Sequence, residues 1–398
     1  LPIALVALAL PAVTNAQDWN FEPTVRATAE TNDNVRLLRE DQDPIDSEAL
    51  ALDVTARMIR RAPLSEVRII PRVQVRDFSD SDVEDTQGFF LDLFAERDLR
   101  RGQFGIEVRA SREDVLNAEI GDPDFDNPDV NDPIDLDTGR IQVDDERDRL
   151  IVDPFFGFSL TERLGIGVEA RYLAVDYAQT SEVSDLRDYN SADLTTELNY
   201  SISERGELTV GVFVSDFESE DGPSRNESQA VGGRLEYTYE LSEQFSAYAG
   251  VGYETIDTDT TLDGVTGSDT DNAARYLAGI TREGEVSRTR LDVRQSVDPS
   301  GRGALQKRSQ VRLRYTHQLS PQLFANFAAR VQQTEQTGEF GIDRDYQRYR
   351  AGLEWQFRQS WSIEGAYTYT AQEFSNQPTD ADSNSFTISL IYEPPRRR

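Results

Sequence analysis

Residues Val311 to Val331 read VRLRYTHQLSPQLFANFAARV. Val311, Leu313, Tyr315, His317 and Leu319 alternate with Arg312, Arg314, Thr316 and Gln318, and Ser320-Pro321-Gln322 then interrupts the run. Leu323, Ala325, Phe327, Ala329 and Val331 resume the alternation against Phe324, Asn326, Ala328 and Arg330. Successive strand side chains point to opposite faces. The stretch is therefore a hairpin with one apolar face and one polar face, closed by a tight turn. Leu160 to Leu164 and Leu241 to Phe245 repeat the same kind of turn between the same kind of strands.

The 398 residues carry a formal net charge of −32, no cysteine, 37% hydrophobic residues and a mean hydropathy of −0.58. Such a composition is compatible with disorder, but a disordered chain has no reason to keep a two-residue period. The texture is uniform from about residue 18 to 392 with no linker, so a single large domain over 17–398 is expected. Residues 1–16, LPIALVALALPAVTNA, resemble the apolar core and cleavage site of a secretory signal peptide, with cleavage after Ala16. The run falls short of the ~20 apolar residues of a membrane-spanning helix. Without cysteine there is no disulfide or thiolate chemistry.

Tight turns fall near Arg61–Leu64, Leu99–Gly102, Thr161–Arg163, Ser203–Gly206, Ser242–Gln244, Glu283–Glu285, Ser320–Gln322 and Arg358–Ser360. Between them lie more polar stretches, which read as long loops around Asp33–Asp46, Ser79–Asp85, Arg112–Asp145, Ala178–Asp188, Glu218–Glu227, Asp257–Thr270, Asp298–Ala304, Thr334–Asp343 and Ser375–Asp382. Eight turns and nine loops imply about 18 antiparallel strands with both ends on the short-turn side. An even strand number, short turns on one side and long loops on the other describe a transmembrane up-and-down β-barrel with periplasmic turns and extracellular loops.

The two parities support that reading. Leu50, Leu52, Val54, Ala56 and Met58 share one face, as do Phe89, Leu91, Leu93 and Ala95, and Leu208, Val210, Val212 and Val214. Trp355, Phe357 and Trp361 flank one short turn on this face, where an aromatic girdle belongs. The other parity is polar: Arg68, Arg72, Gln74 and Arg76; Arg288, Arg290, Asp292 and Arg294; Arg312 and Arg314; Arg330; Arg348, Arg350 and Glu354. In an open sandwich this face would meet bulk solvent. In a closed barrel of this size it lines a lumen too wide for its own side chains to fill. The last alternating run, Phe386, Ile388, Leu390 and Tyr392, resembles the terminal strand that barrel-assembly machinery reads.

With these features, and with Pro23-Thr24 in the first strand followed by Asn32-Asp33-Asn34-Val35-Arg36, the chain resembles the outer-membrane porins of the "beta-barrel porin 2" type. The resemblance covers the whole chain after residue 16. It implies an outer-membrane location among lipid and lipopolysaccharide, a transport role without defined substrate, and association with exopolysaccharide loci. It carries no residue with known chemistry.

Three sets of residues invite a functional reading. Arg288, Arg290, Arg294, Arg312, Arg314, Arg330, Arg348, Arg350 and Glu354 are the pore-lining candidates. Lys307 is the only lysine, so the positive charge is almost wholly guanidinium, which binds carboxylate or phosphate bidentately and favours anions in a pore. The same arginines would also serve simply to neutralise lumenal Asp and Glu. Asp122, Asp124, Asp126 and Asp129, with Asp132, Asp135 and Asp137 behind them, offer hard oxygen ligands for weak Ca²⁺ binding. The EF-hand pattern fails there, because Asn127 takes the glycine position and Pro133 the position of the bidentate glutamate. Otherwise the segment is a solvated acidic loop. His317 is the lone histidine and has lipid-facing parity, which disfavours Ser-His chemistry and histidine-based metal sites.

No cofactor is expected beyond that weak divalent cation, and the net charge excludes nucleic acid as a partner. The expected function is a passive, porin-like channel for small hydrophilic solutes, anionic or saccharide. The alternatives are a non-conducting structural or assembly component of exopolysaccharide export with a plugged lumen, an outer-membrane enzyme, and a soluble periplasmic β-protein.

Overall fold

The computed structural model describes residues 19–80, 82–120, 145–178, 186–221, 224–336, 343–376 and 380–395. The segment 1–16 and the aspartates from Asp122 to Asp137 lie outside these residues. The strands are β1 (Trp19–Asn32), β2 (Ser47–Ala62), β3 (Ser65–Phe78), β4 (Thr86–Leu99), β5 (Gly102–Asp114) and β6 (Glu146–Ser159). They continue as β7 (Leu164–Tyr177), β8 (Tyr189–Ser203), β9 (Gly206–Asp221), β10 (Ser224–Ser242), β11 (Phe245–Leu262) and β12 (Val265–Glu283). The last six are β13 (Ser287–Ser300), β14 (Ala304–Ser320), β15 (Leu323–Gln336), β16 (Arg344–Arg358), β17 (Trp361–Phe374) and β18 (Ala381–Tyr392). One short helix, α1 (Val115–Ile120), follows β5.

Each strand pairs antiparallel with its sequence neighbours, and β1 pairs with both β2 and β18, from Val25↔Tyr392 to Asn32↔Ser385. The 18-stranded sheet is thereby closed. Closure gives every strand a paired neighbour on both sides across the membrane-spanning part, which is the condition for crossing hydrocarbon with strands. The outward parity is the apolar one along the whole circuit, with Leu52, Phe89, Ile106, Phe156, Leu194, Val212, Leu235, Phe327, Leu353 and Ile388 all exposed. Large aliphatic and aromatic side chains left open around an entire barrel make sense only against lipid. The protein is an outer-membrane β-barrel.

Two aromatic belts bound the apolar band. Near the short turns, Trp355 packs on Phe357, Trp361 packs on Tyr392 and Tyr237 stacks on Tyr239. Toward the other rim Tyr349 stacks on Tyr369. Eight residues separate Trp361 from Tyr369 on β17. At ~3.3 Å per residue and a tilt of about 40°, that is roughly 20 Å along the axis, comparable to the apolar band of such barrels.

All eight short turns fall where the alternation places them. On the opposite side, three of the nine expected long loops are instead tight ends of long hairpins. β11 and β12 run through Asp257–Thr270 to a two-residue turn, with Asp263 at φ 49° and Gly264 at φ 80°. Two positive φ values in succession suit a type I′ turn, and Asp-Gly is its preferred sequence. β9 and β10 pair from Tyr239↔Gly206 up to Ser224↔Asp221, and β13 and β14 pair up to Ser300↔Ala304. These regions read as loops because they are polar. Beyond the bilayer a strand has no need of an apolar face, so polarity there carries no information about strand content.

Changing lipid-facing Phe327 to Arg is expected to cost about 2–4 kcal/mol near mid-bilayer. Changing its inward neighbour Asn326 to Arg should cost far less. Folding yield in lipid, read by heat-modifiable gel shift, checks the difference; equal sensitivity of the two positions would contradict the assigned faces. A protease site inserted between Asp263 and Gly264 should be cut on intact cells, whereas one inserted at Pro321 should be protected.

Candidate functional site

The register turns the inward-facing arginines into rows. Asp292, Arg312, Arg330, Arg348 and Thr370 lie directly opposite one another across β13 to β17. One step toward the short turns, Arg290, Arg314, Ala328, Arg350 and Thr368 form the next row. Arg294 faces Gln310, and Glu354 faces Phe324 on one side and Glu364 on the other. Arg288 sits near the short-turn rim, paired to Glu283 at 3.1 Å. The nine pore-lining candidates therefore share one lumenal face, which Arg308 and Arg344 extend toward the extracellular end.

Like charges directly opposite on adjacent strands repel, and two carboxylates offset part of this. Glu364 accepts from Arg350 at 2.8 Å and from Arg26 on β1 at 3.1 Å. Asp292 accepts from Arg290 at 2.9 Å and from the Tyr248 hydroxyl at 2.6 Å. Asp292 and Glu354 are among the acids that the sequence places on the polar parity; Glu364 is not singled out there. Its inward parity beside Ser362 and Ala366 was visible, but its nearness to Arg26 exists only once β18 pairs with both β17 and β1.

The arginine rows are not an open, wet surface throughout. Arg330 is 0% exposed and Arg348 9%. Charges at that depth are screened by salt far less than exposed ones. Half-way round the barrel, the wall formed by β5 to β10 carries Glu107, Asp153, Glu169, Asp193, Glu197, Glu207 and Glu236 on its inward parity. Arg109 binds Asp153 at 3.0 Å, and Arg234 binds Glu197. The carboxylates still outnumber the arginines there. The lumen thus has a basic wall facing an acid-rich wall.

The extracellular half of the lumen holds buried apolar clusters beside buried polar groups such as the Arg147–Glu113 pair, contrary to the expectation of an interior left to water. Ile151, Leu173, Val175, Tyr189, Phe217, Ala230, Ile256 and Ala273 point inward from β6 to β12 and form one buried cluster with Val115 of α1 and with Val297 and Leu305 of the β13–β14 hairpin. A second cluster joins Val35 and Leu37 of the β1–β2 loop to Ala49, Phe78, Val83, Leu116 and Ala381. α1 links the two, since Val115 belongs to the first and Leu116 to the second. The β1–β2 loop is tied in by polar contacts: Asn34 donates to the carbonyl of Asp382 at 2.8 Å, and Gln372 donates to that of Leu37 at 3.4 Å.

The end of the β13–β14 hairpin reaches across the mouth. Arg187 N–H donates to the Gly301 carbonyl at 2.8 Å, and the Asn226 side chain donates to the Gly303 carbonyl at 2.8 Å. The Arg302 guanidinium lies 5.9 Å from the ring centroid of Phe374 on β17. Gly303 has φ 74°, and a Cβ there would stand 2.7 Å from Ser219 Oγ, so both conformation and space require glycine.

His317 stacks on Tyr315 with ring centroids 6.0 Å apart, on the outward parity of β14. Among the described residues no group of three His, Cys, Asp or Glu is arranged to hold a metal ion. The aspartates from Asp122 to Asp129 lie outside those residues.

Phe217 is the largest apolar side chain of the first cluster that is essentially fully buried, at 1% exposure. Truncating it to Ala is expected to destabilise the folded barrel by about 3–5 kcal/mol. Denaturant unfolding in detergent or lipid measures the loss. A water-filled interior at this height would make the substitution nearly neutral.

No family model matches the chain, and no curated protein sequence matches it. Solved structures of similar shape include the open form of the ferric-catecholate import receptor Fiu from E. coli K12, at 9% identity over 93% of this chain and 81% of that one, with a TM-score of 0.45. The alcaligin outer-membrane receptor FauA from Bordetella pertussis is 12% identical over 94% of this chain and 76% of that one, with a TM-score of 0.44. The ferric citrate transporter FecA in its unliganded form is 8% identical over 93% of this chain and 79% of that one, with a TM-score of 0.48. These likenesses are of barrel shape. The assignment to the outer membrane stands on the closed pairing and the apolar exterior.

Proposed function

We propose that the protein is a transport barrel: a channel for small hydrophilic solutes, anionic or saccharide, held shut at its extracellular mouth in the described state. The observation that carries this reading is the stack of arginine rows on β13 to β16, across the lumen from a carboxylate-rich wall. Guanidinium keeps its charge when buried and presents a planar fork to carboxylate or phosphate. The charges of neither wall are needed for closure of the sheet, and apolar residues would fill the same positions with less desolvation. The reading extends the resemblance to porins of the "beta-barrel porin 2" type. A non-enzymatic role follows from it, with His317 stacked on Tyr315 and directed away from the lumen.

One observation favours a second reading. The two apolar clusters at the extracellular end are those of a plugged barrel, as a non-conducting structural or assembly component of exopolysaccharide export would have.

Planar-bilayer conductance with a salt gradient separates the two. The channel reading expects openings that prefer anions at low salt and lose the preference at high salt, where screening shortens to ~3 Å at 1 M. Replacing Arg312, Arg314, Arg348 and Arg350 with Gln, in protein shown to be folded by heat-modifiable mobility, should shift the reversal potential toward cations. An unchanged reversal potential would make the rows structural. Folded protein that never conducts would favour the second reading.

A further inference from the structure

Among the described residues, the barrel wall is incomplete on its extracellular side beside the β13–β14 hairpin. β12 pairs with β13 only from Tyr276↔Gln295 to Glu283↔Arg288. Beyond that, Val265 to Arg275 of β12 pair with β11 alone. On the far side of the same hairpin, β14 pairs with β15 only as far as Gln306↔Gln336. In strand pairing the segment from Ser296 to Leu305 is therefore laddered to itself, from Ser296↔Arg308 to Ser300↔Ala304, and continuous with the sheet at its base; its other contacts to the barrel are those of its inward seat.

We propose that this segment is a two-position flap. In the described state it lies inward, with Val297 and Leu305 in the buried cluster that includes Ile256 and Ala273. In its other position it zips onto the free edge of β12 and leaves the mouth. The existing register continues without a bulge. After Tyr276↔Gln295 it places Arg275 opposite Ser296, Ala273 opposite Asp298 and Asp271 opposite Ser300. It also brings the turn carrying Arg302 to the level of Asp269 and Asp271, so charge supports the same register.

The two positions exchange comparable interactions. The inward one buries two aliphatic side chains and keeps the hydrogen bonds of Gly301 and Gly303 to Arg187 and Asn226. The outward one gains ladder hydrogen bonds along an edge that otherwise has no strand partner, its Ala274 carbonyl alone being met by the Gln295 side chain at 2.5 Å among the described contacts. Pro299 has no N–H to give to a ladder, which keeps the outward position from becoming a trap. A packed hairpin with two discrete seats is the kind of bistable element through which a small bias switches a mouth. The flap rests on the channel reading for its consequence but not for its geometry.

Two measurements on the full chain refolded into lipid test it. The first places spin labels at Ser268→Cys and Arg302→Cys and weakens the inward seat with Val297→Ser and Leu305→Ser. The chain has no native cysteine, so labelling is confined to those sites. A short, narrow distance population, several-fold larger than with Val297 and Leu305 intact, is expected. An unchanged distribution, or one that only broadens, overturns the proposal.

The second measurement joins Asp271→Cys to Ser300→Cys, which stand directly opposite each other only in the outward register. Opposed strand residues lie within the ~4.4–6.8 Å Cα separation of a disulfide, so failure to cross-link overturns the proposal. Open probability in bilayers should be at least about tenfold higher in the oxidised form and fall back on reduction. Equal conductance in both forms overturns the flap as a gate. Silence in both forms, with the short distance population present, keeps the flap and defeats the channel reading instead.

Discussion

Backbone satisfaction in hydrocarbon is the constraint from which the other features follow. A strand crossing lipid must have both its neighbours, because no water is present to take an unpaired N–H or C=O. The pairing of β1 with β18 meets that condition for the first and last strands at once. Closure then divides the side chains strictly between lipid and lumen, and the composition follows. An exterior of leucine, valine and aromatic residues coexists with a mean hydropathy of −0.58, since most of the other half of each strand and most of what lies beyond the bilayer is polar.

Inside, the chain solves two problems with different means at different heights. Around the middle of the lumen charges face one another across strands and are matched by named partners, as with Glu364 between Arg26 and Arg350. Toward the extracellular end the buried charges, Arg308, Arg344 and Arg147 with Glu113 among them, are joined by packed apolar side chains contributed by the wall, by α1, by the β1–β2 loop and by a hairpin turned inward. The apolar layer lowers the polarisability of its surroundings, and Coulomb interactions strengthen where water is excluded. The deep burial of Arg330 thus makes the charge pattern more consequential than an exposed row would be.

Alternation made the fold legible because period 2 is set by backbone geometry and lipid enforces it on every strand. Val311 to Val331 alone shows both faces and the turn between them. Three kinds of feature stayed hidden. Polar hairpin extensions such as Asp257 to Thr270 look like loops because nothing beyond the bilayer selects for an apolar face; the Asp263-Gly264 pair was the signal of a tight turn. Isolated apolar residues in apparent loops, Val35, Leu37, Val115 and Leu116, form no periodic run, so their insertion into the lumen left no trace in one dimension. The lumenal parity of Arg312 and Arg348 could be read from spacing, whereas the acid-rich opposite wall required knowing that β5 to β10 face β13 to β17.

The free edge of β12 also bears on how the protein lives among its copies. A long unpaired strand above a crowded membrane surface is a template for joining one barrel to the next edge to edge. This edge carries Asp269 and Asp271, and β11 beside it carries Asp257 and Asp259. Two such edges brought together would align carboxylates against carboxylates, so the charge keeps neighbouring barrels apart while leaving the edge available to the chain's own hairpin. Bridging divalent cations remove that repulsion. The acidity of the protruding strands is thus a defence against lateral polymerisation, and it holds only while those carboxylates remain uncomplexed.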